Sequence, residues 1–164
     1  MAAKRPALDR IDVKILAALQ RDGRSTIQKL AETVALSPRA CLERVRRLEA
    51  SGVIAGYQAV VELGRLARPV NVFAEIILAK HAQRSQVERR LAAMEEVVEC
   101  WEVTGATDYL ARFTCADLAA YEALTTRLID DPSLGVSRIV SHVALRPVRR
   151  FAGYPQSLLS EKPR

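Results

Sequence analysis

Four arginines fall within nine residues of LSPRACLERVRRLEASGVI (36–54): Arg39, Arg44, Arg46 and Arg47. A guanidinium is a planar fork that can bridge guanine O6 and N7 or grip a phosphate. A second set of candidates lies in VTGATDY (103–109), where Gly, Thr and Asp together offer backbone N–H groups and a carboxylate. That is the complementary set for an α-amino acid, which needs donors for its carboxylate and acceptors for its ammonium. On the residues alone, an ordinary hairpin turn with Asp108 capping backbone is the simpler reading of this stretch. Enzyme chemistry finds no foothold: there is no Ser-His-Asp arrangement, phosphate-binding Gly-rich loop or metal-ligand cluster. Two histidines and three separated cysteines (Cys41, Cys100, Cys115) supply few metal ligands and no disulfide framework. The expectation is therefore a binding protein with no metal or cofactor, its thiols reduced as in a cytoplasm.

The arginines need a helix to present them. On a wheel for 38–51, Cys41, Leu42, Val45 and Leu48 form an apolar floor. Arg39, Glu43, Arg46 and Arg47 face away from it, and Arg44 lies on the flank. Ser37 is the expected N-cap and Pro38 occupies the first position, where its missing N–H costs nothing. Two helices precede this one. The first follows Asp9 as N-cap and stops at Gly23; the second starts after Ser25 or Thr26. A short helix joined by a tight turn to an arginine-rich helix is helix-turn-helix order, in which the later helix enters the major groove. Arg39 and Glu43, near the helix start, are expected at base edges. Arg44, Arg46 and Arg47 are expected mainly on phosphates, with Ser37 able to face one as well. The alternative is a solvated helix whose arginines pair with Glu43 and Glu49.

Charge supports the DNA reading. Residues 1–52 hold 11 Lys/Arg against 6 Asp/Glu, residues 53–145 hold 9 against 12, and residues 146–164 hold 5 against 1. A basic head joined to an acidic middle suggests a polyanion-binding module attached to something with another task. No apolar run of about 18 residues predicts a membrane span, and MAAKRPALDRID has no apolar stretch of a secretory signal.

Beyond Gly52 the period changes. A strand is expected in 53–62 and a linker in 63–69. Then follow strand 70–78, helix 85–94, strand 97–104, turn 105–108, strand 109–115, helix 117–130 and strand 136–145. This βαββαβ order is the ferredoxin-like unit of an α+β protein. The proline-bearing tail, 147–164, is expected as a packed or loose arm. Strands 70–78 and 136–145 carry apolar residues on both faces, which predicts a homodimer closed sheet to sheet. Trp101, Cys100 and Cys115 are expected to be buried, and His142 has no evident partner.

Three separated stretches, LDRIDVKIL, LSPRACLERVRRLEASGVIAGYQA and VTGATDYLARF, resemble the Lrp/AsnC (leucine-responsive, or feast/famine) family of transcriptional regulators over residues 8–146. The resemblance implies a winged helix-turn-helix over 1–62 and a βαββαβ domain over 70–146 that binds an amino-acid effector and drives oligomerisation. It also implies double-stranded DNA as partner, and dimers that build into tetramers or octamers. The family's effector turn, usually Gly-(Asp or similar)-x-Asp-Tyr, maps onto Gly105, Thr107, Asp108 and Tyr109. Ser141 stands where the last strand commonly supplies a threonine beside it. The chain departs at Ala106, where an acidic or polar residue is common, so the sequence names no effector. A stand-alone amino-acid-binding module and a weakly specific DNA-organising protein are the alternative readings.

Overall fold

The structure, a computed structural model, describes residues 7–159; the two ends of the expected outer segments, 1–6 and 160–164, lie outside the described residues. Two units form. One holds the chain up to Val60 together with the segment from Arg149 on, and the other is Val61–Val148.

The first unit is three helices: α1 (Arg10–Arg21), α2 (Ile27–Val34) and α3 (Pro38–Ala50). Asp9 caps α1 in a capping box: its side chain accepts from the N–H of Ile11 and Asp12, while the Asp9 N–H donates to Asp12 Oδ2 at 3.1 Å. Thr26 and Ser37 cap α2 and α3. The helices close on Ile15, Leu16, Leu30, Val34, Cys41, Val45 and Leu48, all buried. Between α2 and α3 the chain turns at Ala35, which takes left-handed φ and ψ of 57° and 50°. The strand expected in 53–62 does not form: residues 55–62 are exposed and pair with nothing in regular structure. β-branched residues favour extended backbone, but a strand exists only beside another strand, and this chain brings none to it. The tail also departs from expectation. From Arg149 it joins the helical unit, ending in α6 (Gln156–Leu159), a single turn whose Leu159 packs against the three-helix core.

The second unit matches the expected order closely. It comprises β1 (Val70–Leu78), α4 (Arg84–Ala92), β2 (Val97–Glu102), β3 (Tyr109–Cys115), α5 (Leu118–Asp130) and β4 (Val136–Val143). The sheet runs β2-β3-β1-β4, every pairing antiparallel. One face, with Val72, Ala74, Ile76, Tyr109, Ala111 and Phe113, packs under Val87 and Leu91 of α4 and Tyr121, Leu124 and Leu128 of α5. Among the described residues no helix covers the other face. It is mixed rather than apolar: Phe73, Ile77, Leu110, Trp101 and Val140 alternate with the ion pair Glu99–Arg112 and the Glu75–His142 hydrogen bond, both at 3.1 Å. Trp101 is thus half exposed on the open face rather than in the core, and His142 has Glu75 as its partner. Cys115 is buried as expected, whereas Cys100 is exposed on the edge strand.

Candidate DNA-binding helix and effector turn

Helix α3 rests on Cys41, Val45 and Leu48, so its outer side is fixed by packing before any ligand arrives. Ser37 accepts from the Ala40 N–H at 3.3 Å, as a cap should. Arg39 and Glu43, one turn apart, form an open pair at 3.4 Å, with the Arg39 side chain 91% exposed. Arg46 is exposed and has no ion pair among the described residues. Arg44 and Arg47 behave otherwise. Arg44 Nη1 reaches Asp9 Oδ2 at 2.6 Å and Asp12 Oδ1 at 2.8 Å, and Arg47 Nη2 spans both Asp12 oxygens at 2.8 and 2.7 Å. Asp12 is 1% exposed, so these are its compensation for leaving water. The Arg44 side chain is 25% exposed and the Arg47 side chain 59%.

The expected phosphate role of Arg44 and Arg47 therefore meets a competing partner. Arg44 is committed to α1, and Arg47 divides its guanidinium between Asp12 and solvent. A helical wheel cannot show this, because the carboxylates arrive from 32 to 35 residues away. The backbone bond from Asp12, then Arg44, holds the Asp9 carboxyl below the usual carboxylate range. Asp9 and Asp12 in turn push the Arg44 guanidinium pKa up. The structure thus joins Ser37, Arg39, Glu43 and Arg46 on the open side and gives Arg44 to the interior.

In the second unit, the turn between β2 and β3 is tied down by its own side chains. Gly105 has φ +121°, a conformation that side chains resist. Thr107 Oγ1 donates to the Ile76 carbonyl at 3.0 Å. Asp108 Oδ2 accepts from the Leu78 N–H at 2.8 Å, and its other oxygen pairs with Arg84 Nη2. The Leu78 bond, then Arg84, keeps the Asp108 carboxyl below its usual range. Tyr109 is buried and donates to Glu88 Oε1 at 2.8 Å, with the Arg84 guanidinium 5.9 Å from its ring centre. Burial first, then Glu88, pushes the Tyr109 hydroxyl pKa up. The N–H groups of Gly105, Ala106 and Thr107 meet no acceptor among the described residues.

Asp108 does cap backbone, and that of another strand. Ser141, expected beside the turn, is instead bonded on the helix-covered side to Tyr121 Oη at 2.6 Å. Arg84 and Glu88 escaped the sequence reading. One signal pointed to Arg84: a cation in the first turn of α4, where the helix dipole disfavours it, calls for an acidic partner. A cleft of about 350 Å³ lies between α4 and β2, lined by Glu88, Glu99, Cys100, Glu102 and Tyr109 among others. Among the described residues no cluster of potential metal ligands occurs, and no helix is long and apolar enough to cross a membrane.

A helix-turn-helix carrying open arginines, followed by a βαββαβ unit with a ligand-type turn, defines a DNA-binding transcriptional regulator with a ligand-binding domain. Residues 8–55 match the winged helix-turn-helix DNA-binding family, and residues 71–153 match the Lrp/AsnC ligand-binding domain. The chain belongs to the Lrp/AsnC family of transcriptional regulators. It is 42% identical over 144 residues to the Bkd operon transcriptional regulator of Pseudomonas aeruginosa, covering 86% of this chain and 93% of the relative. It is 44% identical over 125 residues to the leucine-responsive regulatory protein of Escherichia coli K12, covering 74% and 76% of the two. A transcriptional regulator from Neisseria meningitidis, solved as its L-methionine complex, superposes with a TM-score of 0.86 at 30% identity, over 93% of this chain and 99% of that one.

Proposed function

We propose that this regulator reads operator DNA in the cytoplasm through Arg39, Glu43 and Arg46 and responds to an amino acid held at the 105–109 turn. The observation that carries the reading is the division of the arginines: Arg44 is tied to Asp9 and Asp12, which seats α3, Arg47 is shared between Asp12 and solvent, and Arg39 and Arg46 stay open for the groove. Arg39 and Glu43 stand at the end of the helix that reaches base edges, and Arg46 lies farther along for phosphate. Arg47, with its outer side in solvent, reaches a phosphate only as a shared cation.

At the turn, the N–H groups of residues 105–107 receive the effector's carboxylate, and Glu88 and Glu102 in the adjoining cleft, which also hold the Tyr109 hydroxyl and Arg84, face its ammonium. Asp108 and Thr107 hold the turn in shape, Tyr109 walls it, and Ser141 lies outside it. The L-methionine complex of the Neisseria regulator supports an amino acid as the ligand class. The helix-free sheet face, with Phe73 on inner strand β1 and Trp101 on edge strand β2, pairs with a second copy of the chain. The resulting dimers assemble further into tetramers or octamers, and place two recognition helices for a two-fold operator. The effector acts by differing affinity for the assembly states, so it need not touch DNA. Relatives being regulators, no catalytic role is assigned.

Calorimetry with a panel of the common amino acids, alongside gel shifts on the upstream region of the protein's own gene, tests the whole reading. A single amino acid should bind and alter operator affinity. Silence of the full panel overturns the effector assignment, and operator affinity indifferent to Arg39→Ala and Arg46→Ala overturns the helix assignment.

A further inference from the structure

The C-terminal segment is the part of the helical unit that DNA reading leaves unused. It reaches α1 at Gly153 and Tyr154. The Tyr154 N–H donates to Gln20 Oε1 at 2.6 Å. Gly153 has φ +104°, and a Cβ added there would meet Oε1, Cβ and Cδ of Gln20 at 2.9–3.0 Å. Only glycine lets the segment lie this close to α1, on both conformational and steric grounds. Phe151 and Tyr154 bracket the glycine and pack edge to face at 5.0 Å. Leu159 then sets the end of α6 against the three-helix core. Helix α1 is thereby held at both ends. Near its start Asp9 and Asp12 grip the arginines of α3; near its end Gln20 grips the returning chain.

We propose that residues 151–159 are a strap belonging to the DNA-binding unit, which positions α1 and, through Asp12, the recognition helix α3. The strap comes from the far end of the sequence, after the last strand of the ligand-binding domain. The DNA unit is therefore completed only after the ligand-binding domain has been made. Gln20, Gly153 and Leu159 are positioning residues: none of them faces DNA, and their effect passes through α1.

The test uses the full-length protein with Gln20→Ala, Gln20→Glu and Gly153→Val, plus a chain ending at Val148. Amide hydrogen exchange over residues 17–21 should rise at least tenfold in Gln20→Ala and Gly153→Val. It should stay near wild type in Gln20→Glu, which keeps an acceptor for the Tyr154 N–H. Operator affinity should fall about three- to tenfold in the two damaged variants with an unchanged salt slope, because no phosphate contact is removed. The double variant should be no worse than either single one, since both break one contact. Unchanged exchange in Gln20→Ala and Gly153→Val overturns the strap. Raised exchange with unaltered affinity overturns its positioning role, as does a rescued exchange without rescued affinity in Gln20→Glu. If the shortened chain does not fold, the point variants decide alone. The inference rests on the DNA reading of this unit, but the exchange measurement needs no DNA, so the two can fail separately.

Discussion

Asp12 in the helical unit and Asp108 in the sheet unit both draw arginines from a neighbouring helix, with opposite results. Asp12 is almost wholly buried and takes two guanidiniums, which ties Arg44 to α1 and leaves Arg47 shared between Asp12 and solvent. Asp108 is partly open and takes one guanidinium and one backbone N–H, which fixes a turn whose N–H groups at 105–107 meet no acceptor among the described residues. In the first case the ion pairs shape the reader and remove charge from it. In the second they shape the turn and leave the N–H groups of 105–107 without an acceptor among the described residues. Depth decides between the two: a carboxylate out of water must keep every partner it has, whereas one at the surface holds its partners more loosely.

The largest test of that contrast is Asp12→Asn. Losing one member of a buried network should destabilise the helical unit by about 3 kcal/mol, the low end for such a break because the outer side of Arg47 is solvated. Urea denaturation followed by helical circular dichroism measures it, and a loss within error of zero would erase the difference from Asp108. Next, Arg39→Ala or Arg46→Ala should weaken operator binding, with the Arg46 change lowering the salt slope by about 1. Arg44→Ala should leave that slope intact while lowering stability. A slope that falls with Arg44→Ala would return this arginine to the phosphates. Smaller again, Asp108→Asn and Arg84→Ala should each reduce amino-acid affinity by about tenfold in calorimetry, with no further loss when combined. Additive losses would mean that each meets the ligand separately.

The least effect is expected from acid. The Asp9 and Asp108 carboxyls are held below their usual values in the folded protein. Their contributions are therefore complete above a pH of about 4, the unfolded value, and vanish as pH falls through the lower folded values. Thermal unfolding between pH 7 and pH 2 should show stability flat for these groups until that window. A decline centred at pH 6 would contradict the assignment.

Much of this was legible in the sequence because the signals were local. Asp9, Thr26, Ser37 and Asp117 cap helices by bonding N–H groups two or three residues on, and strands 70–78 and 109–115 end where the alternation ends. What escaped was long-range. Arg44 and Arg47 looked like open cations because the wheel of one helix contains no partner from another. The 53–62 stretch has strand composition, but its ladder would have to come from elsewhere. Trp101 alternates onto the sheet face that no helix covers among the described residues. Ser141 was carried to the turn by resemblance, yet Ala74↔Ser141 pairing sets it on the side that Tyr121 occupies. Asp108 was read as a capping residue or a ligand acceptor; one of its oxygens caps the Leu78 N–H and the other holds Arg84, a partner from α4 that the turn's own sequence does not show.

Ala35 has a consequence for how this protein can vary. A left-handed alanine costs roughly 1–2 kcal/mol, while glycine there would give back roughly 0.4–1 kcal/mol through the looser unfolded chain. The two nearly offset, so Ala35→Gly should be close to neutral or slightly stabilising. The bend is imposed by the helices on either side, with the Leu36 N–H returning to the Ala31 carbonyl at 3.0 Å. Genetic drift can thus exchange alanine and glycine at this position with little penalty, and a search that demands glycine in the bend would pass over working readers of DNA.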